Sequence, residues 1–195
     1  MLRNPLQVRL EKLEPWQQTT FMASLCERMF PNFAVFCEQT EFTEARIYRD
    51  ILDSVWESLT VKNAKVNFEH QLEKLEEIIP TAEECDLYLV YPAIDACMCL
   101  SFLLHGLLDR DDLFESMLSV SQRSVHTVAQ LEEAQTGEVI TDENQKGNQA
   151  VCLEWDVQWA IFRPLRESEE RDVELIKDLR SELREEGISN IGASL

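Results

Sequence analysis

Glycine and proline are scarce in this sequence, with 5 and 6 copies among 195 residues. A β-rich fold of this size needs many tight turns, and such turns usually call for glycine or for Asn-Gly and Asp-Gly dipeptides. Neither dipeptide occurs in the chain. The composition therefore argues against a β-rich fold and favours helices.

Positive charge is also in short supply. The chain has 18 Lys and Arg residues against 37 Asp and Glu residues, which gives a formal net charge of −19. Such a surface repels phosphate backbones and anionic lipids, so we expect no nucleic-acid partner and no membrane partner. It is compatible with a basic protein partner or a cationic ligand. It also has a simpler explanation, as a surface that keeps the protein soluble.

Catalytic motifs are missing as well. The sequence has no Gly-x-Ser-x-Gly elbow and no glycine-rich phosphate loop. Di-metal sites in helical bundles draw on Glu-x-x-His pairs, but no histidine here follows a glutamate at that spacing. The residues three positions before His70, His105 and His126 are Asn67, Phe102 and Arg123. We therefore assign no catalytic residue, no metal ligand and no cofactor.

The six cysteines do not form a recognisable disulfide or metal framework, because no Cys-x-x-Cys occurs. Cys97 and Cys99 would point to different sides of a helix. Most of the cysteines lie beside apolar residues, where a free thiol behaves as a small buried hydrophobe. Arg3 and Arg9 interrupt any early apolar run, so we expect no signal peptide. Together these features predict reduced thiols and a cytoplasmic location.

The longest apolar run covers residues 87–108. A membrane-spanning helix usually carries few charges and has a Lys or Arg bias at one end. This run contains Pro92, Asp95 and His105 and is flanked mainly by acidic residues. We expect it to form a buried core, with a break or kink at Pro92 and a second helix over 92–108.

Apolar residues recur every three to four positions in much of the chain, which is the spacing of an amphipathic helix. One clear stripe runs from Ile47 to Leu59, with Thr43 placed as its N-cap. Pro15 and Pro31 each precede helix formers, at a point where a missing N–H has little cost. In the first 80 residues we predict helices over 5–13, 15–29 and 32–40, around the stripe at 47–59, and over 68–79.

The second half of the chain predicts fewer and longer elements. We expect a helix from Asp111 or Asp112 to about Thr136, and then a long acidic loop over 137–149. A last helix should cover 150–186, bend at Pro164 and end at Gly187. The prediction is thus an all-α fold, a single-domain multi-helical bundle of about eight helices over residues 1–187 with a long C-terminal helix. The tail, 188–195, should be poorly ordered unless Ile188 and Ile191 dock.

Six stretches spread over nearly the whole chain carry a family resemblance. They are Phe-Met-Ala-Ser-Leu-Cys-Glu-Arg-Met at 21–29, Tyr-Arg-Asp-Ile-Leu-Asp at 48–53, Gln-Leu-Glu-Lys-Leu-Glu-Glu at 71–77, Tyr-Pro-Ala-Ile-Asp-Ala-Cys at 91–97, Glu-Trp-Asp-Val-Gln-Trp at 154–159 and Glu-Arg-Asp-Val-Glu-Leu-Ile-Lys at 170–177. In these stretches the chain resembles the YjaG family of uncharacterised bacterial proteins, a domain of unknown function. The resemblance implies a compact all-α fold in a bacterial cytoplasm, and it brings no reaction, cofactor or catalytic residue.

Two groups of residues are candidates for binding. Tyr88, Tyr91 and Asp95 are spaced three and four apart, so a continuous helix would place them on one face of an apolar segment, where they would line a small pocket with His105 as a further candidate. Alternatively, Asp95 lies in the first turn of a helix that begins at Pro92, where the helix dipole favours an acid. For His105 the simpler explanation is an ordinary pairing with Asp109 near the helix end.

The second group follows the acidic loop. Trp155, Asp156 and Trp159 either anchor the core or form the aromatic part of a surface groove for a partner.

From these features we favour a non-enzymatic cytosolic binding or regulatory protein that engages a protein partner, basic in character, through its acidic surface. The first alternative is a small-molecule-binding protein or enzyme with a pocket near Tyr88, Tyr91 and Asp95. The second alternative is a metal carboxylate protein. Homo-oligomerisation stays open.

Overall fold

The computed structural model describes residues 2–40, 42 and 44–194, with the side chain of Glu84 excepted. In these ranges the chain forms eight α-helices and three short 3-10 turns, and no strand. The helices are α1 (Gln7–Leu10), α2 (Pro15–Thr40), α3 (Ala45–Thr60), α4 (Phe68–Glu76), α5 (Val90–Leu108), α6 (Leu113–Thr136), α7 (Gln149–Glu167) and α8 (Val173–Glu186). The predicted all-α fold of about eight helices is confirmed. Thr43, predicted as the N-cap of α3, lies outside the described residues.

Helix α2 is the centre of the bundle and packs against α3, α5, α6, α7 and α8. It runs through Pro31 without interruption, so the prediction of two helices over 15–29 and 32–40 is wrong. Pro31 cannot donate to the carbonyl of Glu27, which removes one helical hydrogen bond. Pro31 itself is buried, as are most residues on both sides of it. Packing from several directions therefore holds the helix together where the local sequence favours a break.

Helices α5 and α6 form an antiparallel hairpin, joined by a 3-10 turn at Arg110–Asp112. They approach closely at Gly106, where an added Cβ would lie 3.0 Å from the Cβ of Ser116. The predicted break at Pro92 does not occur inside a helix, because α5 begins at Val90 and Pro92 lies in its first turn. Among the described residues, α5 alone is long and apolar enough to cross a membrane, and 67% of its apolar window is buried within the protein. That burial is what the core helix of a soluble protein shows.

The long C-terminal helix predicted over 150–186 is also wrong. Helix α7 passes through Pro164 and ends at Glu167, and α8 begins only at Val173. Asp172 caps α8 by accepting hydrogen bonds from two backbone N–H groups of its first turn. Arg171 turns away from α7 and donates to the backbone carbonyls at the C-terminal end of α3, at 3.0 Å from Nη2 to Ser58 O. These contacts favour a turn at 168–172 over a continuous helix. Gly187, with φ of 58°, ends α8 as predicted.

The tail after Gly187 lies against the bundle. Ser189 is buried, and Asn190 accepts a hydrogen bond from Asn32 of α2 at 2.9 Å and donates to the carbonyl of Ser124 of α6 at 2.8 Å. Ile191 is half-buried against the core, whereas Ile188 is half exposed. The expectation of a poorly ordered tail considered only its apolar residues. Polar side chains make most of the docking contacts.

Candidate functional site

Two separate cavities lie along one face of α6 beside α5, and we call this surface the α5–α6 groove. The larger cavity is also bounded by Leu2 and Gln7 from the N-terminal segment. The larger has a volume of about 560 Å³ and is lined by apolar side chains, Phe102 and Leu118 among them, and by Arg123 and His126. We call it the arginine cavity. The smaller, of about 370 Å³, is lined by Tyr88, Tyr91, Gln130, Glu133 and Ala134, and we call it the tyrosine cavity. The α6 side chains in both cavities are spaced three or four residues apart, so one face of α6 forms the groove wall.

The tyrosine cavity has two half-exposed aromatic rings at its mouth. Tyr88 and Tyr91 have their ring centroids 5.9 Å apart and their planes tilted by 56°. Their exposed fractions are 38% and 49%. Partial burial raises the pKa of the Tyr88 hydroxyl, and the negative charges of Asp95 and Glu133 raise it further. Two carboxylates therefore act on this end of the groove.

Asp95 does not open into the tyrosine cavity. It is 4% exposed, and its carboxylate accepts a hydrogen bond from Arg123 at 3.1 Å and one from Thr127 at 2.8 Å. It lies five residues after Val90, beyond the first turn of α5, so neither of the two explanations offered from the sequence describes its contacts. A carboxylate in an apolar helix needs a partner, and Arg123 and Thr127 share one face of α6. The spacing of four residues lets both side chains of α6 reach the Asp95 carboxylate.

His105 lies at the opposite end of α5. Ten residues of helix separate it from Asp95, which corresponds to about 15 Å, and its side chain is exposed. The backbone N–H of Asp109 donates to the carbonyl of His105 at 2.8 Å, and the Asp109 carboxylate accepts the N–H of Asp111. The structure thus brings Tyr88 and Tyr91 together and leaves His105 apart from them.

The second group of candidate residues divides in the same way. Trp155 is 7% exposed and its indole N–H donates to Gln145 at 3.3 Å, which ties the acidic loop to α7. Trp159 is half-buried, and the guanidinium of Arg9 lies 4.9 Å from its ring centroid. Asp156 is exposed. Trp155 therefore belongs to the core, while Asp156 and Trp159 reach the surface.

A buried ionic cluster joins α2, α3 and α8, and the sequence reasoning missed it. Glu27, whose side chain is 1% exposed, accepts two hydrogen bonds from Arg49 at 2.7 and 2.8 Å. It also accepts one from Arg184 at 3.1 Å and one from the indole N–H of Trp56 at 3.0 Å. Asp53 completes the cluster, at 2.7 Å from Arg184. Its members are 22 to 157 positions from Glu27 in sequence, so no local motif signals it.

The electrostatics of this cluster favour the ionised state of Asp53. Burial acts to raise the pKa of Asp53, but the hydrogen bond and charge of Arg184 and the charges of Arg180 and Arg49 outweigh it and lower that pKa below its usual value. Burial acts to lower the pKa of Arg184, but the hydrogen bonds and charges of Glu27 and Asp53 outweigh it and raise that pKa. Every charged group has an ion-pair partner inside the cluster, and among its buried atoms in the described chain only the Nε of Arg180 lacks a hydrogen bond, so we assign the cluster a structural role.

A second buried carboxylate lies between α2, α6 and α7. Glu154 is 1% exposed, forms an ion pair with Arg28 at 3.0 Å and accepts a hydrogen bond from the hydroxyl of Ser124. Burial raises the pKa of Glu154, and the attraction of Arg28 offsets this only in part.

These contacts affect the remaining charge of the chain. Five arginines, Arg28, Arg49, Arg123, Arg180 and Arg184, are paired with the four carboxylates Glu27, Asp53, Asp95 and Glu154. When these nine residues are set aside, the chain still has 13 basic and 33 acidic residues.

Among the described residues, no group of three or more His, Cys, Asp or Glu side chains is arranged to hold a metal.

Comparison with known proteins gives a consistent family. Residues 5–194 match the family described as Protein of unknown function (DUF416). The chain is 61% identical over 192 residues to the Uncharacterized protein YjaG of Salmonella typhimurium, covering 98% of this chain and 97% of that protein. It is 60% identical, with the same coverage, to YjaG of Escherichia coli K12. A crystal structure of a DUF416 family protein from Shewanella baltica is similar with a TM-score of 0.91 and 30% identity, over 99% of this chain and 100% of that one.

Proposed function

The chain belongs to the DUF416 family of proteins of unknown function, and we propose that it is a non-enzymatic cytosolic binding protein whose α5–α6 groove receives a basic segment of a protein partner. The observation that carries this proposal is the combination, in one groove, of exposed aromatic side chains and acidic charge. Tyr88 and Tyr91 supply the aromatic surface, and Glu133 supplies the charge beside them.

The dimensions of the groove support a peptide-sized ligand. Its α6 wall runs from Glu115 to Ala134, which corresponds to about 28 Å of helix. A helix of about five turns or an extended segment of about eight residues would span that length. Binding of an amphipathic helix in such a groove is a common recognition mode.

The distribution of exposed apolar side chains supports the same surface. Large hydrophobic side chains that are more than a third exposed are few among the described residues, and four of the nine lie at the two ends of α5. These four are Leu87, Tyr88, Tyr91 and Leu108. Leu87, Tyr88 and Tyr91 lie together at the start of α5, and an exposed apolar cluster rimmed by polar residues is typical of a protein interaction site.

Charge complementarity supports a basic partner. Asp86 and Glu133 lie at one end of the groove, and Asp109, Asp111 and Asp112 lie exposed at the other. Acidic residues outnumber basic ones by 33 to 13 outside the paired carboxylates and arginines. A basic segment would be attracted to this surface, and its association would weaken as salt screens the charges.

Site-specific photo-crosslinking in the bacterial cytosol tests this proposal. A photoreactive amino acid at Gln130, in the groove, should give a stoichiometric protein adduct, whereas the same amino acid at the exposed Val61 should not. When cell lysate is irradiated in about 0.5 M salt, where the Debye length falls below about 5 Å, much less adduct should form than in low-salt lysate. Glu133→Lys should abolish it, and Glu57→Lys, on the exposed face of α3, should leave it intact.

Three outcomes contradict the proposal: no adduct at Gln130, an equal adduct at Val61, or an adduct whose yield is unchanged when irradiation is done in high salt and in Glu133→Lys.

A second candidate function, small-molecule binding, is supported by the arginine cavity. Its volume of about 560 Å³ lies within the range of ligand pockets, about 300–1,000 Å³. Its apolar wall includes Phe102 and Leu118, and Arg123 contributes a guanidinium that is one-third exposed. Native mass spectrometry of protein purified from its own cytosol checks this, because a bound small molecule would appear as a defined mass increment. An increment that survives in Phe102→Glu, which places a carboxylate in the apolar wall of the cavity, would argue against this location.

A further inference from the structure

We propose that the tyrosine cavity is a cation-binding pocket that takes the ammonium or guanidinium group of one lysine or arginine side chain of the partner. This inference rests on the proposed function and names the anchor residue of the bound segment. The geometry that supports it is the juxtaposition of two tyrosine rings and one carboxylate around a small cavity.

The two rings supply the aromatic part of the pocket. A cation within about 6 Å of an aromatic ring centroid is attracted by the negative face of the ring. Tyr88 and Tyr91 are tilted by 56° with centroids 5.9 Å apart, so a group in the cavity contacts both. Within the described chain neither hydroxyl has a hydrogen-bond partner, and each phenol oxygen is therefore free to accept an N–H from a cation.

Glu133 supplies the charge, and the protein holds its carboxylate in place. Its Oε1 accepts the backbone N–H of Ile140 at 2.7 Å, which fixes the orientation of the group at the start of the acidic loop. The second oxygen remains for a ligand. An ammonium between a carboxylate and two aromatic faces gains both an ion pair and cation–π attraction.

Two helix ends of opposite partial charge meet beside this pocket. Glu133 lies in the last turn of α6, whose C-terminal carbonyls carry partial negative charge, and that turn contains no basic residue. Cations commonly occupy such positions. The positive N-terminal end of α5 is also near, but the helices are antiparallel, so the two partial charges oppose each other at this end of the groove.

The two cavities offer different groups to a bound segment. The arginine cavity offers apolar side chains, Phe102 and Leu118 among them, and its lining includes charges of both signs, Arg123 and Glu115. Glu133 and the tyrosines favour a cation about ten residues beyond Arg123 along α6, which is about 15 Å away.

Nuclear magnetic resonance titrations of the purified full-length protein test the pocket without the partner. The probes are Nα-acetyl-lysine methylamide, the uncharged isostere Nα-acetyl-norleucine methylamide and tetramethylammonium chloride. The lysine probe should shift the ring resonances of Tyr88 and Tyr91, and the norleucine probe should leave them in place. Glu133→Gln and Tyr91→Leu should each weaken lysine binding at least tenfold, while Tyr91→Phe should change it less than threefold.

Equal shifts with norleucine, or unchanged lysine affinity in Glu133→Gln, would overturn the pocket. If tetramethylammonium binds more than tenfold more tightly than the lysine probe, the occupant is a free quaternary ammonium compound and the assignment to a partner side chain fails. Circular dichroism of each variant checks that it is folded. If the wild-type protein binds the lysine probe but gives no adduct at Gln130, the proposed function fails and the pocket stands. If it gives the adduct but does not bind the lysine probe, the pocket fails and the proposed function stands.

Discussion

Replacing Glu27 by alanine should lower the free energy of unfolding by about 3–5 kcal/mol. The carboxylate is 1% exposed and accepts four hydrogen bonds, two from Arg49 and one each from Arg184 and Trp56. Without it, two guanidinium groups compete for Asp53, and part of their charge is left uncompensated in a desolvated interface.

The magnitude follows from comparing buried and exposed pairs. Removing one partner of a buried ion pair costs about 3–5 kcal/mol, whereas exposed pairs contribute about 0–1 kcal/mol. The chain contains a matched surface pair on the same helix as Arg49, in which Arg46 and Asp50 lie 3.8 Å apart with side chains 90% and 68% exposed. Asp50→Ala should therefore change the free energy of unfolding by less than about 0.5 kcal/mol.

Urea unfolding at neutral pH, followed by circular dichroism, measures these differences. Because domains of this kind are stable by about 5–15 kcal/mol in total, Glu27→Ala is expected to approach the limit of folding. Glu27→Gln keeps the size of the side chain and one acceptor oxygen, but it replaces the other oxygen by an NH2 group that cannot accept. Some of the hydrogen bonds survive, so the loss should be smaller, about 1–3 kcal/mol. If Glu27→Ala and Glu27→Gln both fall within 1 kcal/mol of Asp50→Ala, the cluster does not hold α2, α3 and α8 together as argued.

Three further measurements follow from the structure. The lowered pKa of Asp53 means that its stabilisation is present above the pKa of the unfolded state and is lost as pH falls through the folded value. The difference in unfolding free energy between wild type and Asp53→Asn should thus shrink below about pH 4, and a constant difference down to pH 2 would contradict the assignment. Of the six free thiols, the half-buried Cys85 and Cys152 should react with Ellman's reagent in the native protein, and the four buried thiols should react only on unfolding. Fast reaction of more than two thiols in the native protein would show that the core opens. Arg171→Ala should lower the free energy of unfolding by about 1 kcal/mol, because its hydrogen bonds to the C-terminal carbonyls of α3 are lost. Arg166 is exposed at the end of α7, so Arg166→Ala should change the free energy of unfolding by less than about 0.5 kcal/mol. Equal effects of the two substitutions would show that the hydrogen bonds of Arg171 to α3 do not stabilise the fold.

The candidate site could be predicted only in part. The spacing of Tyr88 and Tyr91 suggested that they lie together, and they do, but Tyr88 precedes α5 and a turn joins them, with the N–H of Tyr91 donating to the carbonyl of Tyr88 at 3.1 Å. Their neighbours Gln130 and Glu133 come from α6, and the sequence contains no signal for that pairing. Asp95 shows the same limit: its apolar surroundings demanded a partner, but only helix packing identified Arg123 and Thr127.

The predictions of helix ends that were wrong lie where the local preference of the sequence and the tertiary packing disagree. Pro31 predicts a break, and the burial of α2 on many sides overrides it. The residues from 150 to 186 have few strong helix breakers, yet the helix ends at Glu167 because Arg171 and Asp172 find better partners in a turn.

By itself, the sequence determined that this chain is helical, where most helices lie, and that its surface is strongly acidic, because these properties depend on residues within one or two helical turns and on composition. Only the tertiary structure decided where helices continue or stop, which carboxylates are neutralised, and which aromatic residues border a cavity. Those outcomes depend on contacts between residues 22 to 157 positions apart, such as Glu27 with Arg49 and with Arg184, and no periodicity in the chain encodes them.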